Sequence, residues 1–202
     1  MKILVACEES QRVCIAFRSR GHEAYSCDLL PSSGGHPEWH IQGDVLPLLS
    51  LKWDMIIAFP PCTYLSNAGA CRLYPTKGKI DLSRYEKGIE AKEFFMKFYC
   101  ADCPRVAIEN PVSSRVFAMP TYSQEIQPYY FGHPYTKKTR LWLRGLPLLV
   151  PTNMVIPVGP YVPSGTSRKN RSKYGFAIRG DDARNRSKTF LGVAAAMAEQ
   201  WG

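Results

Sequence analysis

Asp54-Met-Ile-Ile-Ala-Phe-Pro-Pro-Cys-Thr-Tyr64 is a short apolar run that ends on two prolines and a cysteine. An apolar stretch without polar alternation suits a strand covered on both faces, as in a parallel sheet layered between helices. The prolines fix the backbone that follows, so Cys62 sits on a rigid turn at a strand end. Strand ends of an open α/β sheet face its ligand crevice, and a thiol held there is placed for nucleophilic work. The competing reading of Cys62 is a small buried hydrophobe.

Outward from this stretch, the chain alternates strand and helix. Residues 2–6 form an apolar strand, and residues 11–20 show helical spacing through Val13, Ile15, Ala16 and Phe17 until Gly21. Residues 23–27 form a second strand that ends in Asp28, and a third short strand precedes Asp44. A helix over about 83–99 offers Tyr85, Ile89, Phe94, Phe95 and Phe98 to a core, and Arg105-Val-Ala-Ile-Glu-Asn-Pro111 is another apolar strand. This order predicts an α/β fold with a Rossmann-like, mostly parallel sheet and helices on both faces.

In such a sheet Cys7, Asp28, Pro60, Cys62 and Glu109 share one edge. A thiolate and a carboxylic acid on neighbouring strand ends can attack a ring and protonate it. An acidic residue ending the second strand commonly holds ribose hydroxyls, a role that fits Asp28. Asp44 could accept a hydrogen bond from an adenine amino group, with an ordinary turn residue as the alternative.

The last third is irregular and rich in proline. Arg140-Leu-Trp-Leu-Arg144 alternates as a strand does, and Ser187 or Thr189 can N-cap a final helix through Trp201. Across 202 residues no clean linker appears, so a single domain spanning 1–202 is expected. With 45% apolar and 21% charged residues the composition is that of a folded chain, and no apolar run approaches membrane-spanning length. No signal peptide is read at the N-terminus.

Seven cysteines without a framework pattern argue for reduced thiols in a cytoplasm-like compartment. Cys100 and Cys103 have CxxC spacing, but no second ligand pair stands at zinc-site distance, so no metal site is expected. His36 and His40 read as part of a solvated loop, and Trp39 either stacks on a ligand or packs on the surface. The loop over 31–39 either closes over a cofactor or simply connects strands.

The net charge of +9 comes from 26 basic against 17 acidic residues. Much of the excess lies in 168–188, where lysines and arginines greatly outnumber Asp181 and Asp182, and Tyr174 and Phe176 are interleaved. Basic residues among aromatics suit phosphate contacts with base stacking, and a solvated loop is the alternative.

Phe-Pro-Pro-Cys62, Ile-Glu-Asn-Pro111, Thr-Lys-Lys-Thr-Arg140 and the closing Arg-Ser-Lys-Thr-Phe-Leu-Gly-Val-Ala-Ala-Ala-Met-Ala resemble, in this order, the cytosine-C5 DNA methyltransferases. Their short phage-type members are the most similar. The resemblance implies the class I S-adenosylmethionine-dependent methyltransferase fold, with Cys62 as nucleophile, Glu109 as acid and Arg140 holding the cytosine O2. It implies S-adenosylmethionine as cofactor along Cys7, Glu8, Glu9, Asp28, Asp44 and Pro60. DNA would lie against Asn110, Lys138, Arg168, Lys169 and Arg171. A phage-encoded protein acting in a host cytoplasm would follow.

Two departures stand out. The family's first turn is glycine-rich, whereas here it reads Cys7-Glu-Glu-Ser-Gln11, so Glu8 or Glu9 is expected to hold the methionine amino group. The family's long target-recognition region is replaced by a basic, proline-rich insertion at 145–183, which predicts relaxed specificity, short-context recognition or a protein partner for target selection. Because the base must leave the stack, single-stranded or locally opened DNA would be easier to use. Two alternatives stay open: a pyrimidine nucleotide-modifying enzyme, and a catalytically silent relative that binds DNA or a nucleotide.

Overall fold

Each strand of the sheet is a short apolar or β-branched run whose alternate residues enter different cores. In β1 (Lys2–Ala6), Ile3 and Val5 face one side while Leu4 and Ala6 face the other, all fully buried. The computed structural model describes residues 1–70, 72–161 and 187–202. After β1 come α1 (Arg12–Arg18), β2 (Glu23–Asp28), β3 (His40–Gln42) and β4 (Met55–Ala58). There follow α2 (Asn67–Ala70), α3 (Leu82–Tyr99), β5 (Val106–Pro111), β6 (Gln124–Ile126) and β7 (Tyr135–Thr136). The described chain closes with β8 (Thr139–Arg144), β9 (Gly159–Pro160) and α4 (Leu191–Trp201).

Seven strands form one sheet in the order β3-β2-β1-β4-β5-β8-β6. The first five run parallel, and β8 is antiparallel to both β5 and β6. On one face α1 and α4 pack Val13, Phe17, Val193 and Met197 against Ile3, Val5 and Leu141. On the other, α3 packs Phe95 and Phe98 against Leu4, Ile56, Ile108 and Trp142. Burying each of these large side chains contributes about 1.5–3 kcal/mol. The architecture is a mostly parallel sheet covered by helices on both faces, as the alternation of strand and helix predicts. The strand order reverses between β1 and β4, which puts the crevice of an open sheet at the carboxyl ends of those two strands.

The local signals for α3 are plain. Asp81 is its N-cap and accepts from the Arg84 amide at 3.0 Å, an interaction worth about 1 kcal/mol. Gly88 in mid-helix lets the Phe117 ring lie against the backbone, since a Cβ there would meet two ring carbons at 2.2 Å.

Two expectations at helix ends need correction. Helix α1 is shorter than the 11–20 spacing suggested. The N-cap of α4 is Phe190, not Ser187 or Thr189, and no side chain of its own caps it. Instead the Gly192 amide donates to His133 Nε2 at 2.9 Å, while Phe190 packs among His133, Tyr135 and Tyr161. Aromatic packing thus sets this boundary in place of a local cap. His40 is likewise no loop residue: it opens β3, with its ring against Ser26 Oγ at 2.8 Å and the Leu30 carbonyl at 2.9 Å.

Of the insertion at 145–183, residues 145–161 are described. Leu149 enters the core, and β9 returns to pair in parallel with β7. Among the described residues, no helix is long and apolar enough to cross a membrane.

Candidate active site

Cys62 lies four residues beyond the end of β4, half-buried, on a turn held from two sides. The Ser66 amide donates to the Cys62 carbonyl at 2.9 Å. The segment after Cys62 is then laced to the segment after β5, with Asn67 N donating to Val112 O and Ser114 N to Leu65 O. Fully buried Asn110 donates through Nδ2 to the Pro60 carbonyl at 3.3 Å. Asn110 was expected to touch DNA. The structure gives it an interior place, tying the end of β5 to the proline turn that carries Cys62.

Glu109 reaches the same edge from β5. It lines a small pocket of about 20 Å³ with Lys137, Thr139, Thr189, Phe190 and Met197, room for roughly one water. Desolvation raises the Glu109 carboxyl above its ordinary range, opposed by the Lys137 charge and a hydrogen bond from Thr139. Burial also pushes the Cys62 thiol up, with the Glu109 charge adding to the rise and Lys137 opposing it. Thiol, carboxyl and ammonium therefore lie within one another's fields.

Arg140 stands elsewhere. The register of β5 with β8 sets Glu109 opposite Leu141 and Asn110 opposite Arg140. Directly opposed residues of an antiparallel pair share a face, so Arg140 lies on the face opposite Glu109. Its guanidinium covers the Tyr122 ring at 4.2 Å, and its Nε lies 3.6 Å from Glu125. Lys138, mostly exposed, pairs with the same Glu125 at 3.2 Å. Arg140 is not brought to Cys62 and Glu109, whereas Lys137 faces both and Thr139 meets Glu109. Sequence reasoning passed over these two because the parity of β8 depends on a register that the run itself does not reveal, and Lys137 lies in the connection before that strand. Arg168, Lys169 and Arg171 lie outside the described residues.

The cofactor expectation rests on the β1, β2 and β3 ends. Cys7 and Gln11 adopt left-handed backbone conformations, with φ of 59° and 56°, so the tight turn of a glycine-rich loop is built here from other residues. Glu8 is turned inward. Its two carboxylate oxygens accept from the Val13 and Cys14 amides at 2.7 and 3.2 Å, capping α1 from within the chain. The carboxylate thus takes the amides that a ligand could otherwise use, and Glu8 is not available for a methionine amino group. Glu9 is also buried, and its carbonyl accepts from the Ser33 amide at 2.8 Å.

The 31–39 loop folds back over this turn. Gln11, fully buried, accepts at Oε1 from Ser32 Oγ and from the His36 amide, and donates through Nε2 to the His36 carbonyl at 2.8 Å. Gly34 permits the approach, because a Cβ there would lie 2.5 Å from the Gln11 Cβ. Trp39 packs rather than waits for a ligand: His36 stacks on it at 3.9 Å, and the Arg18 guanidinium covers it at 4.7 Å.

Asp28 and Asp44 face outward at the same edge. Asp28 accepts from the Leu30 amide at 2.9 Å and Asp44 from the Leu46 amide at 3.0 Å. Both lie close enough to Cys7 that their charges, after burial, push its thiol well up. Cys7, half-buried, forms part of the wall at this edge. Two carboxylates beside a half-buried wall at the switch point can accept from a ribose diol and an exocyclic amine, so this acceptor set fits the nucleoside half of S-adenosylmethionine. Pro60 is buried beside it, at the end of β4.

No protein-family model matches the chain, and no curated protein matches it. Solved structures resemble it at low identity. A protein encoded within an E. coli prophage, described as a DNA modification methyltransferase, aligns over 77% of this chain and 52% of its own, at 12% identity and a TM-score of 0.45. The Entamoeba histolytica methyltransferase EhMeth aligns over 76% and 57%, at 11% identity and a TM-score of 0.46. A Spodoptera frugiperda DNMT2 mutant aligns over 83% and 61%, at 13% identity and a TM-score of 0.39. The chain thus spans roughly half to three fifths of the length of these structures.

Proposed function

We propose that the protein is an S-adenosylmethionine-dependent methyltransferase acting on C5 of cytosine in DNA, with Cys62 as nucleophile and Glu109 as acid. The observation that carries this reading is the convergence of Cys62 and Glu109 from neighbouring strand ends into one another's electrostatic field. Asn110 and the lacing of the two following segments hold them there. A net charge of +9 favours a polyanionic substrate over a free nucleotide.

The chemistry follows from the two side chains. Cytosine C5 is a poor nucleophile until C6 carries a substituent. The Cys62 thiolate adds to C6 while Glu109, whose protonated form is favoured by desolvation, gives its proton to N3. The product is an enamine with its nucleophilic carbon at C5. Bound S-adenosylmethionine, held by Asp28 and Asp44, would supply an electrophilic methyl group there. Loss of the C5 proton to a base then restores the C5–C6 double bond and expels the Cys62 thiolate, and the N3 proton returns to Glu109.

Incubation with labelled S-adenosylmethionine and duplex or single-stranded DNA, followed by digestion to nucleosides, tests this. 5-Methylcytosine should form with the native protein and vanish with Cys62→Ser. No product on any DNA, together with no covalent adduct to a 5-fluorocytosine strand, refutes the reading.

A further inference from the structure

We propose that Lys137 is the catalytic cation of this site: its ammonium holds the O2 edge of the pyrimidine beside Glu109, and Arg140 takes no part. The inference rests on the cytosine-methylating reading above and names a substrate contact within it.

Addition of a thiolate to C6 moves electron density onto the N3–C2–O2 unit. A proton at N3 neutralises part of it. A fixed positive charge at O2 stabilises the rest, and such a charge counts for most where water is excluded. The donor must therefore stand on the face of the sheet from which Glu109 projects.

The β5–β8 register excludes Arg140 from that face. Thr139 and Leu141 lie on the Glu109 face, and Arg140 lies on the other. Two independent packings agree with this parity. Leu141 belongs to the core under α1 and α4, whereas Trp142 belongs to the core under α3. Arg140 sits on that second side, its guanidinium over the Tyr122 ring and its Nε 3.6 Å from Glu125, paired by charge without a hydrogen bond.

Lys137 lines the same pocket as Glu109, with Thr139 and Phe190 between the walls. The Lys137 amide is pinned to Gln127 Oε1 at 2.9 Å, and its ammonium lies 5.8 Å from the centre of the Phe190 ring. Its backbone is thus anchored, and the residue forms part of the wall of the Glu109 pocket. The opposing influence of Lys137 on both Cys62 and Glu109 is consistent with that position.

The test uses the full chain, S-adenosylmethionine and an oligonucleotide containing 5-fluoro-2′-deoxycytidine, with the rate of covalent adduct formation read on denaturing gels. Lys137→Met should slow the adduct about 100-fold, the cost of removing one preorganised charge donor. Lys137→Arg should recover at least a tenth of the native rate, and Arg140→Met should stay within about threefold of it. A second readout is alkylation of Cys62 by iodoacetamide at pH 8, which Lys137→Met should slow and Arg140→Met should not. Equal losses in Lys137→Met and Arg140→Met, or a native rate in Lys137→Met, would overturn the assignment and leave the methyltransferase reading intact. No adduct with the native protein would instead overturn that reading, and this inference with it.

Discussion

Replacing Glu8 by glutamine should change how stability varies with pH, and the change can be worked from the structure. Burial pushes the Glu8 carboxyl from 4.5 up to about 7, although the Val13 and Cys14 amides pull in the other direction. The folded chain therefore keeps this proton to a higher pH than the unfolded chain does. Between pH 4.5 and about 7 the unfolded state binds fewer protons, so stability attributable to Glu8 falls as pH rises through that window. Below the window no penalty applies, and above it the whole penalty does, about 3 kcal/mol at 1.36 kcal/mol per unit.

Glutamine cannot ionise, but it offers one acceptor oxygen to two amide donors, so one amide loses its partner at a cost of about 1–3 kcal/mol. Glu8→Gln should then be the less stable protein at pH 4.5. At pH 8 it should match or exceed the native chain. Urea unfolding, followed by tryptophan fluorescence at half-unit steps from pH 4.5 to 8, reads the difference directly. All other titrating groups are common to both proteins and cancel. Parallel stability curves would refute the reasoning, because they would mean that Glu8 titrates alike in the folded and unfolded states.

Glu109→Gln removes the charge that raises the Cys62 thiol, so iodoacetamide should alkylate Cys62 several-fold faster at pH 8; mass spectrometry of the labelled peptide checks this. Gly88→Ala should cost about 1–3 kcal/mol, because its Cβ would collide with the Phe117 ring, and thermal unfolding would show the loss. Asp28→Asn should weaken S-adenosylmethionine binding roughly 10- to 100-fold in calorimetry, the range for a lost charge-assisted hydrogen bond. Glu8→Gln, a change in a helix cap, should leave that affinity within about threefold.

Several features were legible from residue order alone because their causes are local. The apolar runs at 2–6 and 55–58 needed no partner to declare themselves strands covered on both faces. Their alternation with amphipathic stretches implied parallel crossovers. Pro60 and Pro61 marked where β4 must stop, and strand ends in such a sheet share one edge, so Cys62, Glu109, Asp28 and Asp44 could be grouped before any coordinate was known.

Tertiary structure decided what depends on pairing and on competition for partners. Whether Thr139 or Arg140 meets Glu109 is a question of register, since a shift of one residue exchanges the two faces of a strand. Whether Glu8 faces a ligand or its own helix depends on where the first amides of α1 point, and those amides claimed it. The resemblance to a known family places Asn110 against DNA, yet the Pro60 carbonyl needs a donor inside the fold and Asn110 supplies it. Sequence patterns carry periodicity and chain stops. The partner of a buried polar group is chosen by distant segments, and only the folded chain brings those together.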